Sequence, residues 1–86
     1  MKSVFINIGF GNIISVQRII AIINPGSRAI KRLKDEAKER GKMIDATEGK
    51  KVRSIIITDS DHLVLSAIQS ETLLNRMTEP KKPEKV

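Results

Sequence analysis

The sequence predicts a small α/β domain of the α+β type, rich in β-strands, with one main helix and a short C-terminal helix. Three observations support this fold class. The chain has 86 residues, which is the size of a single domain. Short stretches rich in Ile, Val and Phe are separated by turn residues, as expected for strands. One segment, after residue 24, instead carries its apolar residues at helical spacing.

The first quarter of the chain predicts strands. Residues 4–8 are typical of a short strand, and residues 9–12 supply the Gly and Asn of a turn. In residues 13–23, seven of eleven residues are Ile or Val, and such β-branched residues favour a strand over a helix. We expect this stretch to be broken by a turn near residues 16–18.

A helix is predicted next. Asn24 is a suitable N-cap and Pro25 a suitable first helical residue, while Gly41 suits the C-terminal end. The predicted apolar face comprises Ile30, Leu33 and Ala37. Acidic and basic residues alternate on the opposite face and cancel much of its charge, which favours a face directed at solvent.

The second half predicts three more strands. Residues 43–47 and 52–58 are typical of strands, and residues 48–51 are expected to join them in a hairpin with a basic tip. Residues 59–62 predict a turn before a last strand at residues 63–66.

The end of the chain predicts a short helix and a tail. Ser70 is expected to cap the helix. Residues 78–86 have nothing to bury, so we predict one domain at residues 1–77 followed by a disordered, charged tail.

Composition indicates the class of partner. Sixteen Lys and Arg against ten Asp and Glu give a net charge of +6, which favours polyanions and above all nucleic acid. The two Phe are the only aromatic residues, which disfavours single-strand recognition by base stacking more than duplex binding. The absence of Cys excludes disulfides and thiolate zinc sites. With no signal peptide or membrane-spanning run apparent, we expect a cytoplasmic protein with no membrane partner.

Two motifs give weak signals for chemistry. Gly9-Phe10-Gly11 is half of a dinucleotide-binding fingerprint, but Ile14 stands where the third Gly is needed, so a tight turn, which could form a subunit interface, is favoured. Asp59, Asp61 and His62 could bind a metal or form an acid–base set, yet they are also typical turn residues. We therefore predict no catalytic residues, metal, cofactor or small-molecule substrate, and no enzyme activity.

Arg18 is the first candidate binding residue. Strand alternation would place it on one face with Ile14, Val16, Ile20 and Ile22, where an isolated charge is costly to bury. It could extend to the surface, or pair with Asp45 or Asp61. The functional alternative is a contact with an anion at a subunit junction or an exposed edge.

Lys50, Lys51 and Arg53 are the second candidate group. They form the densest basic cluster outside the predicted helix and tail. A hairpin tip that carries them could reach a row of phosphates, although hairpin tips are also charged simply for solubility.

The motifs taken together resemble the RemA family, the extracellular matrix regulatory proteins of Firmicutes and their relatives. The resemblance is carried by the run FINIGFGNIIS at residues 5–15, by Pro25, by residues 30–32, by residues 44–47 with Gly49, and by residues 59–62 with residues 65–67. It extends from residue 5 to residue 76.

The resemblance implies a nucleoid-associated, DNA-binding transcriptional regulator that activates biofilm matrix genes. It also implies a homo-oligomeric ring of subunits similar in shape to LytTR-type domains. Arg18 matches a family arginine implicated in DNA binding. Lys50 and Lys51 stand where the family commonly has two arginines, and Glu48 stands where relatives often have Tyr. Lysine keeps the charge without the planar fork of arginine, so we expect phosphate attraction to survive better than guanine recognition.

The sequence thus leads to a homo-oligomer that binds double-stranded DNA. Arg18, Lys50 and Lys51 are the predicted DNA-binding residues, with Arg53 in support. A ring would repeat the same few contacts and so strengthen binding. The alternatives are an RNA-binding oligomer and a scaffold protein without a nucleic-acid role.

Overall fold

The computed structural model describes residues 4–78. These contain six strands, namely β1 (Phe5–Gly9), β2 (Asn12–Ser15), β3 (Ile19–Ile23), β4 (Met43–Asp45), β5 (Ser54–Thr58) and β6 (Leu63–Ser66). The helices are α1 (Arg28–Glu39) and α2 (Ser70–Thr78). The predicted small α+β domain, with one main helix and a shorter helix after the last strand, is confirmed.

The strands form two sheets. β1 and β2 pair as an antiparallel hairpin, and the other four form a sheet in the order β3-β5-β6-β4. β5 is antiparallel to both of its neighbours, whereas β4 runs parallel to β6. The predicted hairpin between residues 43–47 and 52–58 is therefore wrong. β6, whose four residues are all buried, occupies the position between β4 and β5, and residues 46–53 form a loop that crosses over it.

The core has two parts, one on each face of the four-stranded sheet. Ile56 and Val64 pack with Leu73 of α2 and with Ile6 and Ile8 of the hairpin. On the other face, Ile55, Leu63 and Leu65 pack against Ile30 and Ala37 of α1. Because successive strand residues point to opposite faces, adjacent isoleucines of β5 serve both parts. Fully buried residues such as Ile56 and Leu73 each contribute about 1.5–3 kcal/mol.

The start of α1 differs from the prediction. The N-cap is Ser27, whose Oγ accepts a hydrogen bond from the Ile30 backbone N–H at 3.1 Å. The predicted cap, Asn24, instead accepts a hydrogen bond from the Ser70 hydroxyl through Oδ1 at 2.6 Å. Gly26 has a φ of 123°, which no α-helix permits, so the helix cannot begin at Pro25. The expected end is found, because Gly41 follows the C-cap with a φ of 71°.

The last described element is α2, whose first helical residue is Ser70. The predicted cap at Ser70 is one residue late, because the Leu73 N–H donates a hydrogen bond to the Gln69 carbonyl and the Ser70 hydroxyl donates one to Asn24. Thr78 is its final residue, and the rest of the predicted tail, residues 79–86, lies outside the described residues. Within residues 4–78, neither helix has the length and apolar character needed to cross a bilayer.

Candidate nucleic-acid interface

The loop between β4 and β5 carries the second group of predicted binding residues. Lys50, Lys51 and Arg53 are all exposed. A turn closed by a 2.9 Å hydrogen bond from the Lys50 N–H to the Thr47 carbonyl reverses the chain just before the lysines. Glu48 and Gly49 make this turn with φ values of 53° and 82°. The cations are therefore on a loop of defined shape, although it is not the tip of a hairpin.

Asp45 fixes the start of this loop. Its Oδ1 accepts hydrogen bonds from the Thr47 hydroxyl at 2.6 Å and from the Thr47 backbone N–H at 2.9 Å. Both bonds favour the charged carboxylate, and they lower the pKa of Asp45 below its ordinary value of 3.8, the hydroxyl having the larger effect. At neutral pH the carboxylate is ionised and holds the turn that precedes Lys50.

The three cations open onto one concave surface, which we call the cationic cleft. It is lined by Gly9, Phe10, Lys50, Lys51, Arg53, Ala67 and Ile68. No carboxylate is among these described lining residues. A neighbouring groove also includes Lys51 and Arg53, and there Glu71 is present. The cationic cleft thus combines three positive charges with an apolar wall.

Both walls of the cationic cleft are attached to the same buried residue. The hydroxyl of Ser66, which is fully buried, donates a hydrogen bond to the Ile8 carbonyl at 2.8 Å and thereby fixes the β1–β2 hairpin. The Ser66 carbonyl accepts a hydrogen bond from the Arg53 N–H at 2.8 Å. The backbone geometry of the cleft is therefore determined by the core and not by the exposed side chains.

Arg18 lies in a different environment. It is the last residue of a short 3-10 turn, Val16–Arg18, which interrupts the strand as expected. The predicted shared face with Ile14, Val16, Ile20 and Ile22 is wrong, because the turn ends the strand alternation, and Arg18 is exposed. Its partner is neither Asp45 nor Asp61 but Asp59, at 2.9 Å between Nε and Oδ1. A backbone hydrogen bond from the Asp59 N–H to the Arg18 carbonyl, also 2.9 Å, brings the two together.

The structure does not bring Arg18 into the cationic cleft. Arg53 immediately precedes β5, whereas Asp59, the partner of Arg18, immediately follows it. Six residues along an extended chain cover roughly 20 Å. The chain therefore presents the three cleft cations and Arg18 separately, at opposite ends of β5.

The turn that contains Asp59 accounts for the other polar residues of the sequence motif. Ser60 Oγ and His62 Nδ1 are 2.7 Å apart, and Asp61 adopts a φ of 67°. Within residues 4–78, no three His, Asp or Glu side chains are grouped as metal ligands. This motif forms the β5–β6 turn, as its residue types predicted.

The sequence-based prediction missed Phe10 as a residue of the site. Residue type gave no reason to connect the β1–β2 turn with residues 50–53, because the two segments are about forty positions apart. The connection depends on Ser66, whose role follows only from the strand order.

Comparison with known proteins gives a consistent family. Residues 5–77 match the family model described as RemA-like, extracellular matrix regulatory protein A-like. A protein of Thermodesulfovibrio yellowstonii is 69% identical over 74 residues, covering 86% of this chain and 87% of the relative. One of Pseudothermotoga lettingae is 66% identical, covering 83% and 78%. One of Thermotoga maritima is 64% identical, covering 86% and 80%. All three bear the name "Putative regulatory protein".

Proposed function

The chain belongs to the RemA-like family of regulatory proteins, and on that premise we propose that it binds double-stranded DNA as a homo-oligomeric ring. The binding domain in this proposal is residues 1–77. The observation that carries the proposal is the cationic cleft, in which Lys50, Lys51 and Arg53 share one concave surface without a lining carboxylate. Such a surface attracts phosphate, and the net charge of +6 extends the attraction beyond the cleft.

The chemistry of the cations favours contacts to the DNA backbone. A lysine ammonium is a point charge on a flexible stem, so it attracts phosphate without the bidentate geometry that reads a guanine edge. Two of the three cleft cations are lysines. In this proposal Lys50 and Lys51 contact phosphates, Arg53 supports them, and sequence preference comes mainly from the shape and deformability of DNA.

Arg18 supplies a second contact in the proposal. Its ion pair engages Nε, which leaves the end of the guanidinium fork directed away from that bond. The roughly 20 Å along β5 from Arg53 to Asp59, the partner of Arg18, corresponds to about six base-pair rises of one duplex. One subunit could therefore contact the same duplex at two places, and neighbouring subunits would repeat the pattern.

The exposed apolar residues support assembly. Ile20 lies on β3, one edge of the four-stranded sheet, and Leu74 lies nearby on α2. Ile13 and Ile44 share a groove beside β4, the opposite edge. Two apolar surfaces at opposite edges suit head-to-tail association, which closes into a ring when the rotation between subunits permits. A ring would multiply the contacts of each small subunit.

The proposed cellular role follows the family. The protein would act in the cytoplasm, associated with the nucleoid, as a transcriptional regulator that activates extracellular-matrix genes in biofilm formation. In this proposal binding requires no cofactor.

The test combines gel-shift titration with native mass determination. We expect the wild-type protein to shift duplex DNA, to have a native mass several times that of the subunit, and to bind less tightly as salt rises. Single-stranded RNA added as a competitor at the same salt should displace the duplex poorly. Efficient displacement would instead favour an RNA-binding oligomer. No shift at low salt would favour a scaffold protein and would contradict the proposal.

A further inference from the structure

The tip of the β1–β2 hairpin holds an aromatic residue in an unfavourable position. Phe10 has a φ of 54° and lies between Gly9, with a φ of 115°, and Gly11, with a φ of 81°. Glycine adopts such angles freely, but a bulky side chain does so at a cost. Phe10 is nevertheless 53% exposed, so the core gains little from it. Strained residues of this kind are concentrated at functional sites.

Two asparagines hold the tip in this conformation. Asn7 Oδ1 accepts a hydrogen bond from the Gly9 N–H at 2.7 Å. Asn12 Nδ2 donates a hydrogen bond to the Gly9 carbonyl at 3.0 Å. Gly9 itself is close to Ile68, since a Cβ at this position would lie 3.4 Å from the Ile68 side chain. The ring of Phe10 is thus presented outward on a turn that is fixed on both sides.

Phe10 faces the same cleft as the three cations. Phe10 lines the cationic cleft together with Lys50, Lys51 and Arg53. Ser66 fixes both the hairpin and the Arg53 backbone, so the ring and the charges keep a constant relation. A partner that occupies this cleft must offer negative charge and, next to it, an apolar surface. In duplex DNA the phosphates are adjacent to the deoxyribose rings and the base edges of the groove.

We propose that Phe10 is a direct, apolar contact to the bound duplex, packing on sugars or base edges beside the phosphates that Lys50 and Lys51 hold. This inference rests on the proposed function. It adds a contact of a different physical kind, because apolar contacts do not release the counterions that phosphate contacts release. The contribution of Phe10 is therefore insensitive to salt.

The chain contains its own control for this inference. Phe5 is the only other Phe, Tyr or Trp residue, and it is 54% exposed, essentially as much as Phe10. It lies in β1 at the other end of the same hairpin, opposite Ser15, and it does not line the cationic cleft. Truncation of either ring removes the same group from a similarly exposed place on one element.

The experiment measures duplex affinity by gel shift over a series of salt concentrations. Phe10→Ala should bind roughly tenfold more weakly than the wild type at every salt concentration, with an unchanged slope of log affinity against log salt. Phe10→Leu, which keeps apolar bulk, should recover most of the loss. Phe5→Ala should bind like the wild type. All variants should keep the native mass of the wild-type protein.

A further variant separates binding from folding. Phe10→Gly relieves the positive φ, so it should be at least as stable as the wild type and yet bind as weakly as Phe10→Ala.

Four outcomes would overturn the inference while leaving the proposed function standing. These are wild-type affinity in Phe10→Ala, an equal loss in Phe5→Ala, a changed salt slope in Phe10→Ala, and a changed native mass, which would make Phe10 a subunit contact. If the wild-type protein failed to shift duplex DNA at all, the proposed function would fail, and this inference with it.

Discussion

The two ends of β5 differ in how their basic residues are balanced by acidic ones. At the Ser54 end, Lys50, Lys51 and Arg53 line a cleft that no carboxylate shares. At the Thr58 end, Arg18 is paired with Asp59, and the following turn is closed by its own hydrogen bonds. The net charge of the whole chain, +6, does not distinguish the two ends, so it does not indicate where an anion binds. The local balance of charges does, and it favours the cationic cleft.

The largest effect on duplex affinity should come from reversing the charges of the cationic cleft, at the Ser54 end of β5. Lys50→Glu combined with Lys51→Glu turns two attractions per subunit into repulsions, and we expect duplex affinity to fall by roughly a hundredfold or more. Gel-shift titration at low salt measures this. The same double reversal of Lys31 and Lys38, which are exposed on α1, should weaken binding far less. Equal losses in the two pairs would mean that total charge, and not the cleft, determines affinity.

The next largest effect is expected on stability, from removal of the buried Ser66 hydroxyl that supports the cleft. Ser66→Ala leaves the Ile8 carbonyl and the Ile68 N–H, at 2.8 and 3.0 Å from Oγ, without this partner. We expect a loss of about 1–3 kcal/mol in the free energy of unfolding, measured by urea denaturation at fixed protein concentration. Ser15→Ala, at the end of β2 where the serine side chain makes no cap hydrogen bond, should change stability by less than about 0.5 kcal/mol. Similar losses in both would show that Ser66 is not a special anchor.

A smaller and opposite effect is expected at the Arg18 end. Asp59→Asn removes a negative charge from beside Arg18, whose side chain is 61% exposed, and so removes the competition with phosphate at Nε. We expect duplex affinity to rise about two- to fivefold, since an exposed ion pair contributes only about 0.2–1 kcal/mol. Asp61→Asn is the matched control, because it removes the same charge from the same turn without a contact to Arg18. Weaker binding by Asp59→Asn would mean that Asp59 orients Arg18 instead of competing for it.

The smallest effect is the dependence of local stability on pH at Asp45, which precedes the loop of the cationic cleft. The hydrogen bonds from Thr47 lower the pKa of Asp45 in the folded protein, so its carboxylate favours folding above the pKa of the unfolded chain. That contribution should be lost as pH falls below the ordinary value of 3.8 and through the lowered folded value. Amide hydrogen exchange at Thr47 should therefore lose protection on acidification more than at Arg53. The same pH dependence in Asp45→Asn would contradict this cause.

Residue types and spacing were sufficient to predict most of the fold. The structure agrees with four predicted features. These are the strands within residues 13–23, the break between them near Arg18, the turn at residues 59–62 and the last strand. These features are local, because they follow from β-branched side chains and turn residues. The start of α1 was missed because Ser27 and Asn24 are equally good caps by type, and the contact between Asn24 and Ser70 decided between them.

The strand order could not be predicted in the same way. Residues 43–47 and 52–58 are close in sequence and both resemble strands, which favours a hairpin. β6, however, comes later in the chain and takes the position between β5 and β4, where its buried residues pack on both faces of the sheet. The predicted binding residues Lys50, Lys51 and Arg53 do lie together. Their shared cleft with Phe10 and their separation from Arg18 both depend on the strand order. Neither could therefore be predicted from the sequence.

The central claim is that the cationic cleft binds the phosphates of duplex DNA. The most direct test is the slope of log affinity against log salt for wild type, Lys50→Ala with Lys51→Ala, and Lys31→Ala with Lys38→Ala. Each phosphate contact contributes about 0.9 to this slope, so loss of the cleft lysines should flatten it by about 1.8 for each subunit that contacts the duplex. The helix pair should leave it close to the wild-type value. A wild-type slope in the cleft variant, with a flattened slope in the helix variant, would contradict the account.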